Sequence, residues 1–73
     1  MSDNKDVLMM IEQVSMNVSD NRLEQLKMKE DLLMTLLRNS EKAMISDSVK
    51  TIAIRMVRRV NAEQLEIIKE GNI

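Results

Sequence analysis

The sequence contains no cysteine, no histidine and no aromatic residue, and each absence excludes a class of structure or function. Without cysteine the chain forms no disulfide and offers no thiolate ligand to a metal. Without histidine it lacks the commonest transition-metal ligand and the side chain that most often acts as a general acid or base. These absences predict a protein with no metal, no cofactor and no enzymatic activity.

The groups that remain for chemistry are carboxylates, lysines and hydroxyls, and none is arranged as a catalytic site requires. The acids are scattered over polar stripes, and no pair is set apart in an apolar segment, as paired catalytic carboxylates need. Glu30 and Asp31 are adjacent, so they point to different sides of a helix. A glycine-rich phosphate loop is excluded because Gly71 is the single glycine.

Proline is also absent, and without proline or glycine before residue 71 the chain favours a few long helices over a sheet with many turns. A chain of 73 residues buries only about 60% of its unfolded surface, so its stability is marginal. With disulfides and metals excluded, association with another chain is the remaining way to add stability. We therefore predict one all-α domain over residues 1–73, with 1–4 and 71–73 frayed, forming a three-helix bundle completed by homodimerisation.

Apolar residues recur at the three- and four-residue spacing of amphipathic helices, which predicts helices at residues 4–18, 21–39 and 47–70. The first break follows from the polar segment SMNVSDNR, where Asn21 and Glu24 have the spacing of a capping box. The alternative is one continuous helix, because Met9, Met16 and Leu23 are seven residues apart. At the end of the second helix, Asn39 suits the left-handed position after the last turn.

Two features of the third segment leave alternatives open. Residues 49–54 are rich in β-branched side chains and resemble a strand, but an isolated strand has nothing in this chain to pair with, which favours a helix. Near Asn61 the apolar face moves to a neighbouring stripe, and Asn61 with Gln64 can cap a separate short helix. The good helix formers at residues 62–65 favour continuity instead. The neighbouring stripe consists of Ile54, Val57, Leu65 and Ile68.

The segment at residues 32–37 is apolar except for Thr35, and a helix that is apolar around most of its circumference needs cover on several sides. This requirement favours a multi-helix bundle or a dimer. In the first helix, Ile11 and Val14 are core candidates, whereas Leu8 lies off their stripe. The residues predicted to pack in the core or an oligomer interface are Leu26, Leu32, Leu33, Leu36, Leu37, Ile52, Met56 and Val60.

The charged residues are unevenly distributed although the net charge is only −1. Residues 1–20 carry four acidic side chains against one basic, whereas residues 50–59 carry four basic side chains and no acid. On a helix Arg59 can pair with Glu63, but Arg55 and Arg58 have no acid three or four residues away. Pairing with the acidic N-terminal segment, or solvation, is the preferred interpretation; an acidic protein surface comes next. Contact with nucleic acid phosphates is less favoured, because stacking aromatics are absent.

The eight methionines, Met1 included, are spread along all three segments. Methionine fills cores more often than it contacts partners, but its flexibility also suits adaptable binding surfaces. The adjacent Met9 and Met10 are the methionines expected to contact a partner. The full set of predicted partner-binding residues is Met9, Met10, Lys50, Arg55, Arg58 and Arg59.

The leading functional prediction is a non-enzymatic regulator, inhibitor or adaptor that binds a larger protein. The alternatives are a small nucleic-acid-binding regulator using the basic residues at 50–59, and a purely structural oligomerisation module. No membrane partner is expected, because the longest apolar run, residues 7–11, is far shorter than a membrane span. The polar, acidic N-terminus lacks the basic start of a signal peptide, so we expect a soluble cytoplasmic protein.

Overall fold

The computed structural model describes residues 5–71, and over this range the chain is all-α, with three helices and no strand. The helices are α1 (Lys5–Asn17), α2 (Arg22–Arg38) and α3 (Asp47–Gly71). The predicted bounds are confirmed to within one residue at each end. Residues 49–54 are helical, and α3 continues through Asn61 without a break. The predicted fraying at residues 1–4 and 71–73 lies outside the described residues except at Gly71, which is the last residue of α3.

The break between α1 and α2 is made by side chains that cap the helix ends. The Oδ1 atom of Asn21 accepts a hydrogen bond from the backbone N–H of Glu24 at 3.1 Å, as an N-cap residue does. In a full capping box the side chain of Glu24 would accept a hydrogen bond from the Asn21 N–H. Here the Asn21 N–H donates instead to the hydroxyl of Ser19, at 3.0 Å. The alternative of one continuous helix is therefore wrong.

A residue of the next helix donates to one carbonyl at the end of α1 and to one carbonyl in the connection that follows. The side-chain amide of Gln25 donates to the carbonyl of Ser19 at 2.7 Å and to the carbonyl of Met16 at 3.3 Å. The last carbonyls of a helix have no partner within it and must find donors elsewhere. In this chain, which has no glycine near residue 17, a glutamine from α2 supplies the donor for the Met16 carbonyl.

The connection from α2 to α3 is a series of turns at residues 39–46. The N–H of Ala43 donates to Asn39 O and that of Ile45 donates to Ser40 O, both at 2.9 Å. The left-handed residue is Met44, with φ 55°, and the prediction for Asn39, whose φ is −101°, is wrong. The backbone and side-chain amides of Asn39 both donate to the carbonyl of Thr35, so α2 is capped without a left-handed turn there.

The core lies between α2 and its two neighbours, because α2 packs against both α1 and α3. Leu33 is fully buried, and within residues 32–37 only Met34 and Thr35 are exposed. Cover for this apolar segment thus comes from within the chain, and it does not by itself require a second copy. The buried apolar residues are Leu8, Ile11, Leu26, Leu33, Ile45, Val49, Ala53 and Val60.

The structure corrects the predicted core at three positions. Val14 is 49% exposed and Ile52 is 36% exposed, so neither belongs to the core, whereas Leu8 is buried. The reason is that α2 covers the side of α1 that carries Leu8, Ile11 and Ser15, not the side with Val14. Ser15 is only 1% exposed, and its hydroxyl donates to the Glu12 carbonyl at 2.9 Å. A small residue at this position lets the two helices approach closely.

The face of α3 that meets α2 is centred on a small residue as well. Val49, Ala53 and Val60 are at most 1% exposed, and Met56 is only partly buried beside them. Ile52 lies at the edge of this face, which leaves it accessible. The predicted core contained Ile52 and Met56 and omitted Ala53, which the structure buries.

Candidate interaction surfaces

The first candidate surface is an apolar groove between α1 and α2, here called the α1–α2 groove. Five side chains line it, and all are apolar: Val7, Met10, Ile11, Val14 and Leu32. Its volume is about 250 Å³, and Ile11 is the buried member of its lining. Met10 and Val14 remain largely exposed at its edge. The groove therefore presents apolar surface to solvent on an otherwise folded pair of helices.

Helical spacing explains why these residues meet. Val7, Met10 and Val14 follow one another at three and four residues, so they form one stripe on α1 beside its buried face. Leu32 adds the α2 side of the groove. The Nζ atom of Lys29 lies 2.6 Å from the Oε2 atom of Glu12, an ion pair that ties the two helices together.

A second depression on α2 is larger but mixed in character. Its volume is about 420 Å³, and it is lined by Val18, Glu24, Lys27, Met28 and Asp31. The charged members are exposed on the outer side of the helix. Three of its five lining side chains are charged, whereas the lining of the α1–α2 groove has no charged side chain.

The second candidate surface is a row of residues on α3, here called the α3 stripe: Ile54, Val57, Asn61, Leu65 and Ile68. Ile54, Leu65 and Ile68 are exposed large apolar residues, and Leu65 is 60% exposed. Successive members are three, four, four and three residues apart, which places them along one side of the helix. This side lies beside the face of Val49, Ala53 and Val60 that meets α2, and Val57 at the border is partly buried against the core.

The basic cluster lies on the exposed part of α3. Arg55, Arg58 and Arg59 are all exposed, and across residues 6–71 no carboxylate forms an ion pair with any of them. The expected pair between Arg59 and Glu63 does not form, because Glu63 Oε2 instead lies 2.9 Å from an Nη2 atom of Arg22 on α2.

One acid of the N-terminal segment has another partner. Glu12, in the acidic N-terminal segment, pairs with Lys29. Lys50 is the basic residue of the 50–59 segment that has a partner, with its Nζ atom 3.2 Å from Asp47 Oδ1. The arginines are therefore solvated rather than paired with the described part of the N-terminal segment.

The structure separates the residues that the sequence grouped as partner-binding. Met9 and Met10 are both 62% exposed, but Met10 lines the α1–α2 groove and Met9 does not. The arginines lie on α3, away from that groove. Of the residues predicted for packing, Leu26, Leu33 and Val60 are buried, while Leu32, Leu36, Leu37 and Met56 are partly buried.

Neither a metal site nor a membrane span is found among the described residues. No group of three or more acidic side chains is arranged to hold a metal ion. None of the helices at residues 5–71 is both long and apolar enough to cross a membrane. Comparisons with protein-family models, curated proteins and solved structures gave no match to this chain.

Proposed function

We propose that this chain is a non-enzymatic interaction protein, a regulator, inhibitor or adaptor that binds a larger protein through the α1–α2 groove. The observation that supports this function is the groove itself, whose lining side chains are all apolar and partly open to solvent. Burial of these apolar side chains against a partner would remove apolar surface from water, which favours association.

The chemistry of the groove favours an aliphatic helix as its occupant. Its volume of about 250 Å³ lies below the roughly 300–1,000 Å³ of small-molecule sites, and its lining offers no polar side chain to orient a ligand. A groove between two helices accepts apolar side chains presented at helical spacing by an amphipathic partner helix. The flexible side chain of Met10 can adapt to the shape of such a partner.

The test compares two glutamate substitutions on the same helix. Val14→Glu places a charge in the groove, whereas Met16→Glu places one on α1 outside it, at a position of similar exposure. Both variants are expected to fold, because both side chains are about half exposed and neither belongs to the buried core. In affinity capture from the native cell extract, a protein retained by the wild type and by Met16→Glu should be lost with Val14→Glu.

Two results would contradict this function. One is retention of the same proteins by the wild type and both variants, which would place binding elsewhere on the molecule. The other is a wild-type sample that retains nothing beyond the bare matrix. Circular dichroism of both variants establishes that any loss comes from the groove and not from unfolding.

A second candidate function, nucleic acid binding, is supported by the unpaired arginines on α3. Arg55, Arg58 and Arg59 present three positive charges. Their binding to phosphates would release counterions, which makes the affinity for nucleic acid depend on salt. An Arg55→Ala/Arg58→Ala variant should then lose retention of DNA or RNA and show a shallower salt dependence, while Lys69→Ala should change it less. No retention of nucleic acid by the wild type at low salt removes this candidate.

A further inference from the structure

We propose that the α3 stripe is a docking site for an acidic amphipathic helix of a partner protein. The inference goes beyond the proposed function and does not rest on it, since the α3 stripe shares no residue with the α1–α2 groove. Three observations support it: the exposed apolar side chains of the stripe, the sign of the charges beside them, and the amide at the centre.

The exposed apolar side chains of the α3 stripe lie on both sides of Asn61. Ile54, before it, is 45% exposed, and Leu65 and Ile68, after it, are 60% and 45% exposed. Ile54 and Ile68 are fourteen residues apart, which is about 21 Å along the helix at 1.5 Å per residue. The stripe is therefore long enough to contact about four turns of a partner helix that presents apolar residues at helical spacing.

The charged side chains that flank the stripe on α3 are all basic. Residues three or four positions apart are neighbours on a helix surface. Lys50 and Arg58 are each four residues from Ile54, and Lys69 is four residues from Leu65. No member of the stripe is three or four residues from an acid of α3, and these acids are Asp47, Glu63, Glu66 and Glu70.

Two of these basic neighbours are available to a partner. Arg58 and Lys69 are exposed, and within the described chain neither forms an ion pair, whereas Lys50 pairs with Asp47. On the side of α2, the half-buried Glu30 accepts a hydrogen bond from the Gln64 side-chain amide at 2.8 Å. The border of the stripe that faces solvent is therefore positive, and its electrostatic complement is a helix with carboxylates beside its apolar residues.

The same border disfavours a second copy of this chain and a lipid surface as occupants. Two copies paired through the α3 stripe would bring positive borders together, and like charges in an interface repel. A lipid surface offers no fixed partner to the Asn61 amide, which costs free energy when it leaves water. The chain also lacks the aromatic residues that anchor interfacial helices. A polar side chain of a partner helix can both donate to and accept from the Asn61 amide.

Fluorescence anisotropy with two labelled peptides tests the chemistry of the partner. The first is a helical peptide with leucines at three- and four-residue spacing and glutamates beside them, and the second has lysines in place of the glutamates. The wild type is expected to bind the glutamate peptide at least about tenfold more tightly, and added salt should reduce the difference. Equal binding of the two peptides, or binding of neither, would overturn the proposal.

Charge reversal on two sides of α3 tests the position of the site. Arg58→Glu changes a neighbour of the stripe, whereas Arg55→Glu changes an arginine with no stripe member three or four residues away. Both arginines are exposed and unpaired in the described chain, so both variants should fold. Arg58→Glu should weaken binding of the glutamate peptide several-fold, and Arg55→Glu should weaken it much less. Equal losses would mean that overall charge, and not the border of the stripe, attracts the peptide.

A second pair of variants separates the α3 stripe from the α1–α2 groove. Leu65→Glu places a charge within the stripe and should abolish binding of the glutamate peptide. Val14→Glu, in the groove, should leave this binding unchanged, so the result is independent of the test of protein binding through the groove. The reverse pattern would place the peptide in the groove and contradict the proposal. Circular dichroism of both variants checks that they remain helical.

Two further measurements test the other occupants of the stripe. In sedimentation velocity the wild type and Leu65→Glu should have the same mass, and vesicles of phosphatidylserine and phosphatidylcholine should retain neither protein. Self-association that is lost with Leu65→Glu would show that a second copy covers the stripe. Vesicle retention that is lost with the same variant would show that a lipid surface does. Either result would overturn the assignment to a partner helix.

Discussion

The helices α2 and α3 are both apolar on more than one side, but their apolar residues differ in how far they are buried. Leu26 and Leu33 of α2 are fully buried, whereas Leu65 of α3 is 60% exposed. The difference is position: α2 lies between two helices, and the principal neighbour of α3 is α2 alone. Apolar residues on a central helix become core, and those on an edge helix become surface available to another chain.

The largest difference in unfolding free energy is expected when one leucine on each of these two helices is truncated. Leu26→Ala should lower the free energy of unfolding by about 2–5 kcal/mol, because it opens a cavity at a fully buried site. Leu65→Ala should change it by no more than about 0.5 kcal/mol in dilute solution, as surface substitutions do. Urea unfolding followed by far-ultraviolet circular dichroism measures both. Similar losses for the two variants would mean that α3 is covered as fully as α2.

A smaller difference in unfolding free energy is expected between loss of the cap at the start of α2 and loss of the cap at the start of α3. Asn21 accepts the Glu24 N–H at 3.1 Å, whereas the Ser46 hydroxyl accepts the Val49 N–H at 3.4 Å at the start of α3. Asn21→Ala should cost about 1 kcal/mol of unfolding free energy, and Ser46→Ala should cost less because its bond to Val49 is longer. Thermal unfolding compares them, with Asp20→Ala as the neighbouring control. A larger cost for Ser46→Ala would reverse this order.

The smallest expected effects concern the ion pairs that join α2 to its neighbours. Arg22 and Glu63 are each about half exposed, so a double-mutant cycle should give a coupling near the lower end of about 0.2–1 kcal/mol. The Lys29 side chain is only 15% exposed, and its coupling to Glu12 should be larger and less sensitive to salt. Cycles run at low and high salt check both statements. Equal couplings would show that burial of Lys29 does not strengthen its pair.

The helices and their order were predictable because their signals are local. Asn21 with Glu24, the polar segment before α2 and the apolar spacing within each helix all act over a few residues. The core was predictable where a stripe is unambiguous, as at Leu26, Leu33 and Val60. It was not predictable at Val14 and Ile52, because the side of a stripe that a neighbouring helix covers depends on tertiary packing.

The candidate surfaces show the same division between local and tertiary information. The second stripe of α3 was visible in the sequence, but its exposure depends on how α2 packs. Local spacing favoured a pair between Arg59 and Glu63, whereas Arg22, 41 residues away from Glu63, takes that carboxylate. The α1–α2 groove combines residues from two helices. The sequence predicted Met10 as a partner contact, but it placed Ile11 and Val14 in the core and Leu32 in the core or an oligomer interface.

The hydrogen bonds from Gln25 to the carbonyls of Met16 and Ser19 have a consequence for how α1 is delimited. Most helices carry their termination signal in the residue that follows them, often a glycine. Here the polar segment ends α1 locally, but the donor to the Met16 carbonyl resides in α2, so this hydrogen bond forms only once the two helices have met. A peptide that ends at residue 21 keeps the local signal and lacks this bond, so the last turn of α1 is stabilised in the folded chain by a contact that its own segment does not contain.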